Sequence, residues 1–315
     1  MEPIRIGISA CLLGEKVRHD GGHKHDRFLT DTIGRFVEWV PVCPEVEIGM
    51  GTPREPIHLV QRHGGIRVVG IWTDADHTDA MHAYAPGRVE QLAGMSLSGY
   101  ILKQDSPSCG LERVRVHRDR GRTRRSGRGL FAAALAERLP NLPIAEEGQL
   151  YDPRLRENWI ERVCAYHRLQ SLWAARWRID DLVRFHAAHQ FVLLAHDPQS
   201  YQRLGRLLTR AKALPRAARR TQYEREFMMA LTGPATRSRH MTVLRHLFGY
   251  VSDRLDKAVR GELFDRIQDY RRGLIPLVIP TILIAHYVRV FDIHDLKDQV
   301  YLNPHPTELA LRNHA

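Results

Sequence analysis

A chain of 315 residues, 43% hydrophobic and 26% charged, is long enough for two domains that each bury a core. Its formal net charge of +11, carried mostly by arginine, exceeds what solubility needs and points to a polyanionic partner such as nucleic acid. The most apolar stretch, Leu274 to Val288, contains Pro276 and Pro280 and falls short of the ~20 apolar residues that a spanning helix needs. It is expected to be a buried core helix, with no membrane partner. Met1-Glu2-Pro3 runs straight into a strand-like segment without a secretory pattern. A cytoplasmic protein with reduced thiols is expected, so the four cysteines read as metal ligands, catalytic groups or core filler rather than disulfides. Nothing in these features sets an oligomeric state.

In chain order, Ile4 to Ser9 alternates and is β-branched, predicting a first strand that ends at Ala10-Cys11. A loop from Gly14 to Asp26 follows, rich in Gly, His and charge. Phe28 to Phe36 reads as a short helix, and Val37 to Val42 as a second strand ending at Cys43-Pro44-Glu45. After a turn-rich segment through Pro56, Ile57 to Gln61 and Ile66 to Trp72 read as two strands around Gly64-Gly65. Asp76 to Ala93 is helical in pattern. Tyr100 to Leu102 is a buried strand, and Pro107 and Gly110 turn the chain after it. A helix over Gly129 to Leu139 and a strand over Leu142 to Ala145 close this half. Strands alternating with helices predict a parallel-sheet α/β domain over residues 1–150. From Pro153 strand signals vanish, and Trp159, Cys164, Tyr166, Leu169 and Trp173 recur at helical spacing. Residues 151–315 are expected to form an all-helical domain, with the boundary near Gly148-Gln149-Leu150.

Three of the predicted strands lead into Cys11, Cys43 and Cys109. In a parallel sheet their C-terminal ends share one edge, which is where ligands bind in open α/β sheets. Three thiolates there can hold a metal centre, although the chain has no Cys-x-x-Cys pair of the kind common around zinc and no fourth cysteine follows a predicted strand. Spacing alone leaves open a cluster, catalytic thiols and packing; Cys164 on the apolar face of a helix reads as core. Glu45 and Glu47 both stand close enough to Cys43 to act as general acid or base. Ser106 is either a proton relay or a turn hydroxyl. The loop Val17 to Lys24, with Arg18 and Asp20, can close over a planar ligand, and His23 and His25 read as ordinary loop histidines rather than metal ligands.

Two basic tracts stand out. Arg113, Arg115, Arg118, Arg120, Arg122, Arg124, Arg125 and Arg128 form the first, which Gly121, Ser126 and Gly127 mark as a mobile loop. Arg203, Arg206, Arg210, Lys212, Arg216, Arg219, Arg220, Arg225, Arg237 and Arg239 form the second, with few acids nearby. Such runs fit phosphate-backbone binding better than a merely solvated face. Neither shows a base-reading motif.

Four stretches taken together resemble a known family: Ile8-Ser9-Ala10-Cys11-Leu12-Leu13-Gly14, Val17-Arg18-His19-Asp20-Gly21-Gly22, Val42-Cys43-Pro44-Glu45-Val46, and Ile101-Leu102-Lys103 with Ser106-Pro107-Ser108-Cys109-Gly110. They occur in the order found in the thiouracil desulfidase (TudS-like) family. The second half resembles the helical domain of longer members, which look like tRNA 4-thiouridine desulfidases (RudS-like). The resemblance implies a [4Fe-4S] cluster held by Cys11, Cys43 and Cys109, with one iron not ligated by protein, and catalytic roles for Glu45 and Ser106. It further implies that the thiocarbonyl sulfur binds the open iron, that water activated by Glu45 attacks the carbon, and that sulfide leaves as hydrogen sulfide. Short members usually carry Tyr where His19 stands and a less charged segment in place of Arg113 to Arg128. These departures favour a tRNA substrate. Arg18, Asp20, Lys103, Arg124, Arg125, Arg216, Arg219 and Arg220 are the expected substrate contacts. Two other readings are a desulfidase of free thiouracil or thionucleosides, and a non-catalytic iron–sulfur RNA-binding protein.

Overall fold

The computed structural model describes residues 3–118, 123–210 and 214–304. Two compact units divide the chain, Met1–Asp152 and Pro153–Ala315.

The first unit contains an all-parallel sheet of β1 (Ile4–Ser9), β2 (Val37–Val42), β5 (Gly99–Leu102) and β8 (Ile144–Glu146), in the order β2-β1-β5-β8. Ile6, Ile8, Tyr100, Ile101 and Leu102 are fully buried, as expected of strands covered on both faces. Gly7 is required where it stands: a Cβ there would lie 2.2 Å from the Tyr100 ring. The register sets Ser9 beside Val42 and Ile8 beside Ile101. The C-terminal ends of β1, β2 and β5 are therefore level.

A second sheet, mixed in direction, accompanies the parallel one. It contains β3 (Ile57–Arg62), β4 (Gly65–Gly70), β6 (Val114–Arg118) and β7 (Arg124–Gly127), in the order β4-β3-β6-β7. The two strands expected around Gly64-Gly65 are present as an antiparallel pair. The segment expected to be a mobile loop is instead the antiparallel pair β6–β7. Its buried Val114 and Val116 pack with Leu59 and Val68, while Arg115 and Arg118 face solvent. The alternation of arginine with valine is a half-buried strand that the charge concealed. Gly127 marks packing rather than flexibility, since a Cβ there would lie 2.6 Å from Val116 and 3.0 Å from Leu59. Arg120, Gly121 and Arg122 lie outside the described residues.

Three helices complete this unit: α1 (Pro44–Glu47), α2 (Thr78–Gly94) and α3 (Leu130–Arg138). The turn-rich reading missed α1, which is only one turn long. Phe28–Phe36, expected to be a short helix, is a π-helical turn at Phe28–Thr32 followed by a 3-10 turn at Ile33–Arg35.

The second unit is helical throughout its described residues: α4 (Pro153–Ala174), α5 (Ile179–Ala188), α6 (Gln190–His196), α7 (Pro198–Thr209), α8 (Arg216–Ala230), α9 (Arg237–Ser252), α10 (Lys257–Arg272), α11 (Val278–Val290) and α12 (His294–Lys297). Cys164 is buried on α4, as its spacing suggests. The stretch expected to be a buried core helix is only partly buried in place. Ile284 and Val288 of α11 are buried, but Ile282 and Val290 are more than half exposed, as is Leu274 just before the helix. Pro276 and Pro280 restrict helix to the later part of the stretch, and one face meets α9 and α10. Among the described residues no helix is long and apolar enough to cross a membrane.

Candidate active site

Beyond the level ends of β1, β2 and β5 lies a cavity of about 360 Å³. Cys11, Cys43 and Cys109 all line it, together with Glu45 and Ser106.

Each thiol reaches the rim by a different local device. After β1 the chain enters a 3-10 turn, Ala10–Leu13, that ends on Gly14 in the left-handed region. The Cys11 carbonyl accepts from Lys24 N at 2.9 Å and so draws the Val17 to Lys24 loop against the turn. Cys43 is the extended residue before α1, with Pro44 preset for the first helical position. Cys109 ends a tight turn after β5. There the Ser106 hydroxyl accepts from Cys109 N at 3.1 Å and Ser108 N at 3.3 Å. Gly110 and Gly129 let that turn close: a Cβ on either would come within 2.4 Å of a neighbour.

Glu45 projects from the first turn of α1 between two of these groups. Its Oε2 lies 3.4 Å from Cys43 Sγ, and its Oε1 accepts from Ser106 Oγ at 3.4 Å. Arg54, which the sequence reading missed, approaches Glu45 Oε2 at 3.8 Å and donates to the carbonyls of Val17 and Gly51 at 2.9 and 3.0 Å. It thereby fixes both the carboxylate and the Val17 loop. The signal available was an arginine held between Pro53 and Pro56 in a polar turn. Glu47 faces away from the cavity: its Oε2 takes Tyr84 Oη and Arg88 Nε, while its Oε1 accepts from Cys43 N at 3.2 Å, and it does not line the cavity. The geometry thus separates the two glutamates that spacing left equivalent.

A pair of carboxylates that the sequence reading also missed stands at the end of β8. Glu147 accepts from Gln104 N at 2.7 Å and pairs with Lys103, while Glu146 accepts from Leu111 N at 2.8 Å. These two carboxylates hold both ends of the Cys109 loop by its backbone. Ser9 adds a third tie, its hydroxyl accepting from Lys103 N at 3.0 Å.

Of the expected substrate contacts, Arg18 and Lys103 line the cavity. Asp20 is not among the lining residues and pairs with Arg18 at 3.6 Å. Arg125 bonds Asp105, another cavity-lining residue, at 3.2 Å, and Arg124 is exposed on β7. In the other unit, Arg216 and Arg219 lie 4.8 and 5.9 Å over the Trp177 ring, and Arg220 lies 5.8 Å over Trp173. The second tract is also less free of acids than its sequence suggests. Arg203 pairs with Asp197 and Glu226, and Arg220 with Glu224. Lys212 lies outside the described residues. His25 bonds Thr30 and His23 caps a backbone N–H, in keeping with loop histidines.

Burial pushes the Cys11 thiol up to about 11 and Cys43 to about 12, and pushes Cys109 well above its usual value. The nearby Glu45 charge raises all three further. The same carboxylate acting on all three thiols places them in one electrostatic neighbourhood. A cationic metal centre reverses that logic, because coordination deprotonates a thiol outright. Among the described residues no three His, Cys, Asp or Glu side chains converge on a single ion. A four-iron cube takes each thiolate on a different iron and so needs ligands set apart around a cavity. Three thiols stand on this rim, and the fourth cysteine, Cys164, is buried on α4.

Residues 6–147 match the 2-thiouracil desulfurase family. A Bacillus subtilis (strain 168) relative, the uncharacterized protein YbbK, is 33% identical over 113 residues, covering 33% of this chain and 72% of its own. The chain belongs to the 2-thiouracil desulfurase family. The desulfurase-family region includes every residue that lines the cavity. Residues 190–306 match a second family, a protein of unknown function, DUF1722. The uncharacterized protein YbgA of Escherichia coli (strain K12) is 29% identical over 161 residues, covering 51% of this chain and 95% of its own. Among solved structures, that of the [4Fe-4S]-dependent thiouracil desulfidase TudS is 32% identical, covering 47% of this chain and 94% of its own, with a TM-score of 0.38.

Proposed function

We propose that the protein is a [4Fe-4S]-dependent desulfidase that converts 4-thiouridine in tRNA to uridine and releases the sulfur as hydrogen sulfide. The observation that carries the reading is the placement of Glu45 between Cys43 and Ser106, in a cavity that Cys11 and Cys109 also line. Cys11, Cys43 and Cys109 would hold the cluster, which when bound supplies a Lewis-acid iron with an open coordination position.

The chain's own residues supply the rest. Glu45 takes a proton from a water, and that water's oxygen bonds to the thiocarbonyl carbon. The C–S bond breaks as the carbonyl forms, and the two protons of the water leave with the sulfur. Thiocarbonyl and water thus give carbonyl and hydrogen sulfide, with no net change in oxidation state. Arg54 keeps the Glu45 carboxylate oriented, and Ser106 donates a hydrogen bond to its other oxygen. Arg18 and Lys103, both on the cavity wall, present donors for a pyrimidine carbonyl or a phosphate.

The arginines of β6–β7 support a polynucleotide substrate. Among the described residues the one ion pair on this hairpin is Arg125–Asp105, so most of its charge faces solvent beside the cavity. A stacked base inside tRNA must be extruded, at a cost of a few kcal/mol, and phosphate binding can offset that cost. The cavity's volume of about 360 Å³ falls in the range of small-molecule pockets, which supports a second reading in which free thiouracil or a thionucleoside is the substrate.

The test is anaerobic reconstitution with iron and sulfide, incubation with bulk tRNA, and nucleoside analysis of the digest. We expect loss of 4-thiouridine matched by a gain of uridine, abolished in Glu45→Ala. A protein with an intact cluster that leaves tRNA unchanged but consumes free thiobases would establish the second reading. One inert toward both would leave a non-catalytic iron–sulfur RNA-binding protein.

A further inference from the structure

Trp72 is the most exposed large hydrophobic side chain among the described residues, with 74% of its surface open to solvent. Single apolar residues on a surface are ordinary. This one is held by a turn tied to the cavity wall. Ile71 N donates to Pro56 O at 2.9 Å, and Trp72 N and Thr73 N donate to the Glu55 carboxylate at 3.1 and 3.2 Å. The Thr73 hydroxyl donates to the same carboxylate. Asp74 completes the turn in the left-handed region, φ 57°, paired with Arg62. Glu55 and Pro56 line the cavity. Gly70 makes the arrangement possible, because a Cβ there would lie 2.4 Å from the Glu55 carboxylate. Four hydrogen bonds to the cavity wall thus fix the backbone that displays an indole.

The second sheet relates this indole to the arginines. Gly70 pairs with Ile57 on β3, Leu59 with Val116 on β6, and Val114 with Gly127 on β7. The end of β4 that leads to Trp72 therefore lies at the same end of the sheet as Arg113 and Arg128. Three strand spacings separate the outer strands, about 14 Å.

We propose that Trp72 is a stacking platform for the nucleobase next to the reacting one, holding a polynucleotide while its thiolated base enters the cavity. The proposal rests on the tRNA reading given above. An aromatic face accepts any base, so Trp72 would confer preference for polynucleotide over free base rather than for a sequence. The hairpin arginines would take the phosphates on the other side of the opening.

The test uses the reconstituted full-length protein, tRNA carrying 4-thiouridine, and free 4-thiouridine nucleoside. Trp72→Ala should lower the ratio of kcat/KM for tRNA to that for nucleoside by about tenfold or more. The loss should appear in KM rather than kcat, with a matching rise in the tRNA dissociation constant measured by fluorescence anisotropy. Trp72→Phe should restore most of the binding and Trp72→Leu should not, which separates stacking from plain apolar contact. Equal rescue by Leu, or an unchanged ratio in Trp72→Ala, would overturn the proposal while leaving the tRNA reading intact. Turnover of the nucleoside with no turnover of tRNA by the wild type would overturn both.

Discussion

The two units place their arginines in different company. On the hairpin of the first unit, arginines alternate with buried valines, so the strand pattern itself turns them toward solvent. In the second unit, much of an equally basic tract is engaged in the fold. Arg203 pairs with Asp197 and Glu226, Arg239 donates to the His196 carbonyl, and Arg237 stands 5.5 Å over the Tyr270 ring. A charge count treats the two tracts alike. Their outward field differs, because a guanidinium paired with a carboxylate contributes little net field.

The cysteines give the same contrast and the largest expected effect. Cys109 and Cys164 are both buried, and burial raises both thiols. Only Cys109 has a carboxylate and two further thiols around one cavity; Cys164 sits in the interior of α4. Cys109→Ala should abolish the cluster's visible absorbance after reconstitution and bring desulfidation to background. Cys164→Ala should keep both. Iron content per chain, measured on protein that retains its far-ultraviolet spectrum, checks the pair. Equal iron content in the two variants would remove Cys109 from the ligand set.

Next in size is the hairpin. Replacing Arg115 and Arg124 together by Glu should lower the ratio of kcat/KM for tRNA to that for free thiouracil by about 10- to 100-fold. It should also flatten the dependence of tRNA affinity on salt, by about one unit of log–log slope for each phosphate that is no longer neutralised. Both side chains face solvent, so the fold should tolerate the change. A ratio and slope equal to those of the wild type would leave the polynucleotide reading without its basic surface.

Much of the catalytic half was legible because its signals are local. The runs of β1, β2 and β5 are short, apolar and β-branched, and a parallel sheet must bring their ends to one edge. Cys11, Cys43 and Cys109 therefore line one cavity. Glu45 and Glu47 could not be ranked, because their separation depends on which way one turn of helix faces. That direction is set by Tyr84 and Arg88 of α2, about forty residues away in sequence. Arg54 and the Glu146–Glu147 pair act on backbone groups of distant loops, and no spacing rule reports such ties. The β6–β7 hairpin was hidden by composition. Eight arginines between residues 113 and 128 outweighed two inward valines and a packing glycine. The same bias toward composition made α11 look like a wholly buried helix, when its apolar residues in fact encircle it.

The smallest expected effect belongs to α8, and it decides whether the helical unit's charge meets RNA at all. Arg216 is exposed and stacked 4.8 Å over Trp177, which itself packs against Trp173 at 4.9 Å between ring centroids. A stacked guanidinium keeps its in-plane N–H donors, so Arg216 can cover the indole and still bind a phosphate. Arg216→Glu should weaken tRNA binding about two- to threefold and lower the salt slope by about one, the value of a single neutralised phosphate. An exposed cation–π pair is worth about 0.5–1 kcal/mol, so the thermal midpoint should fall slightly as well. Arg216→Gln separates the two contributions. It should reproduce most of the fall in salt slope without the repulsion that Glu adds. A lower midpoint with unchanged affinity and slope would mean that α8 protects its tryptophans and leaves polyanion binding to the first unit.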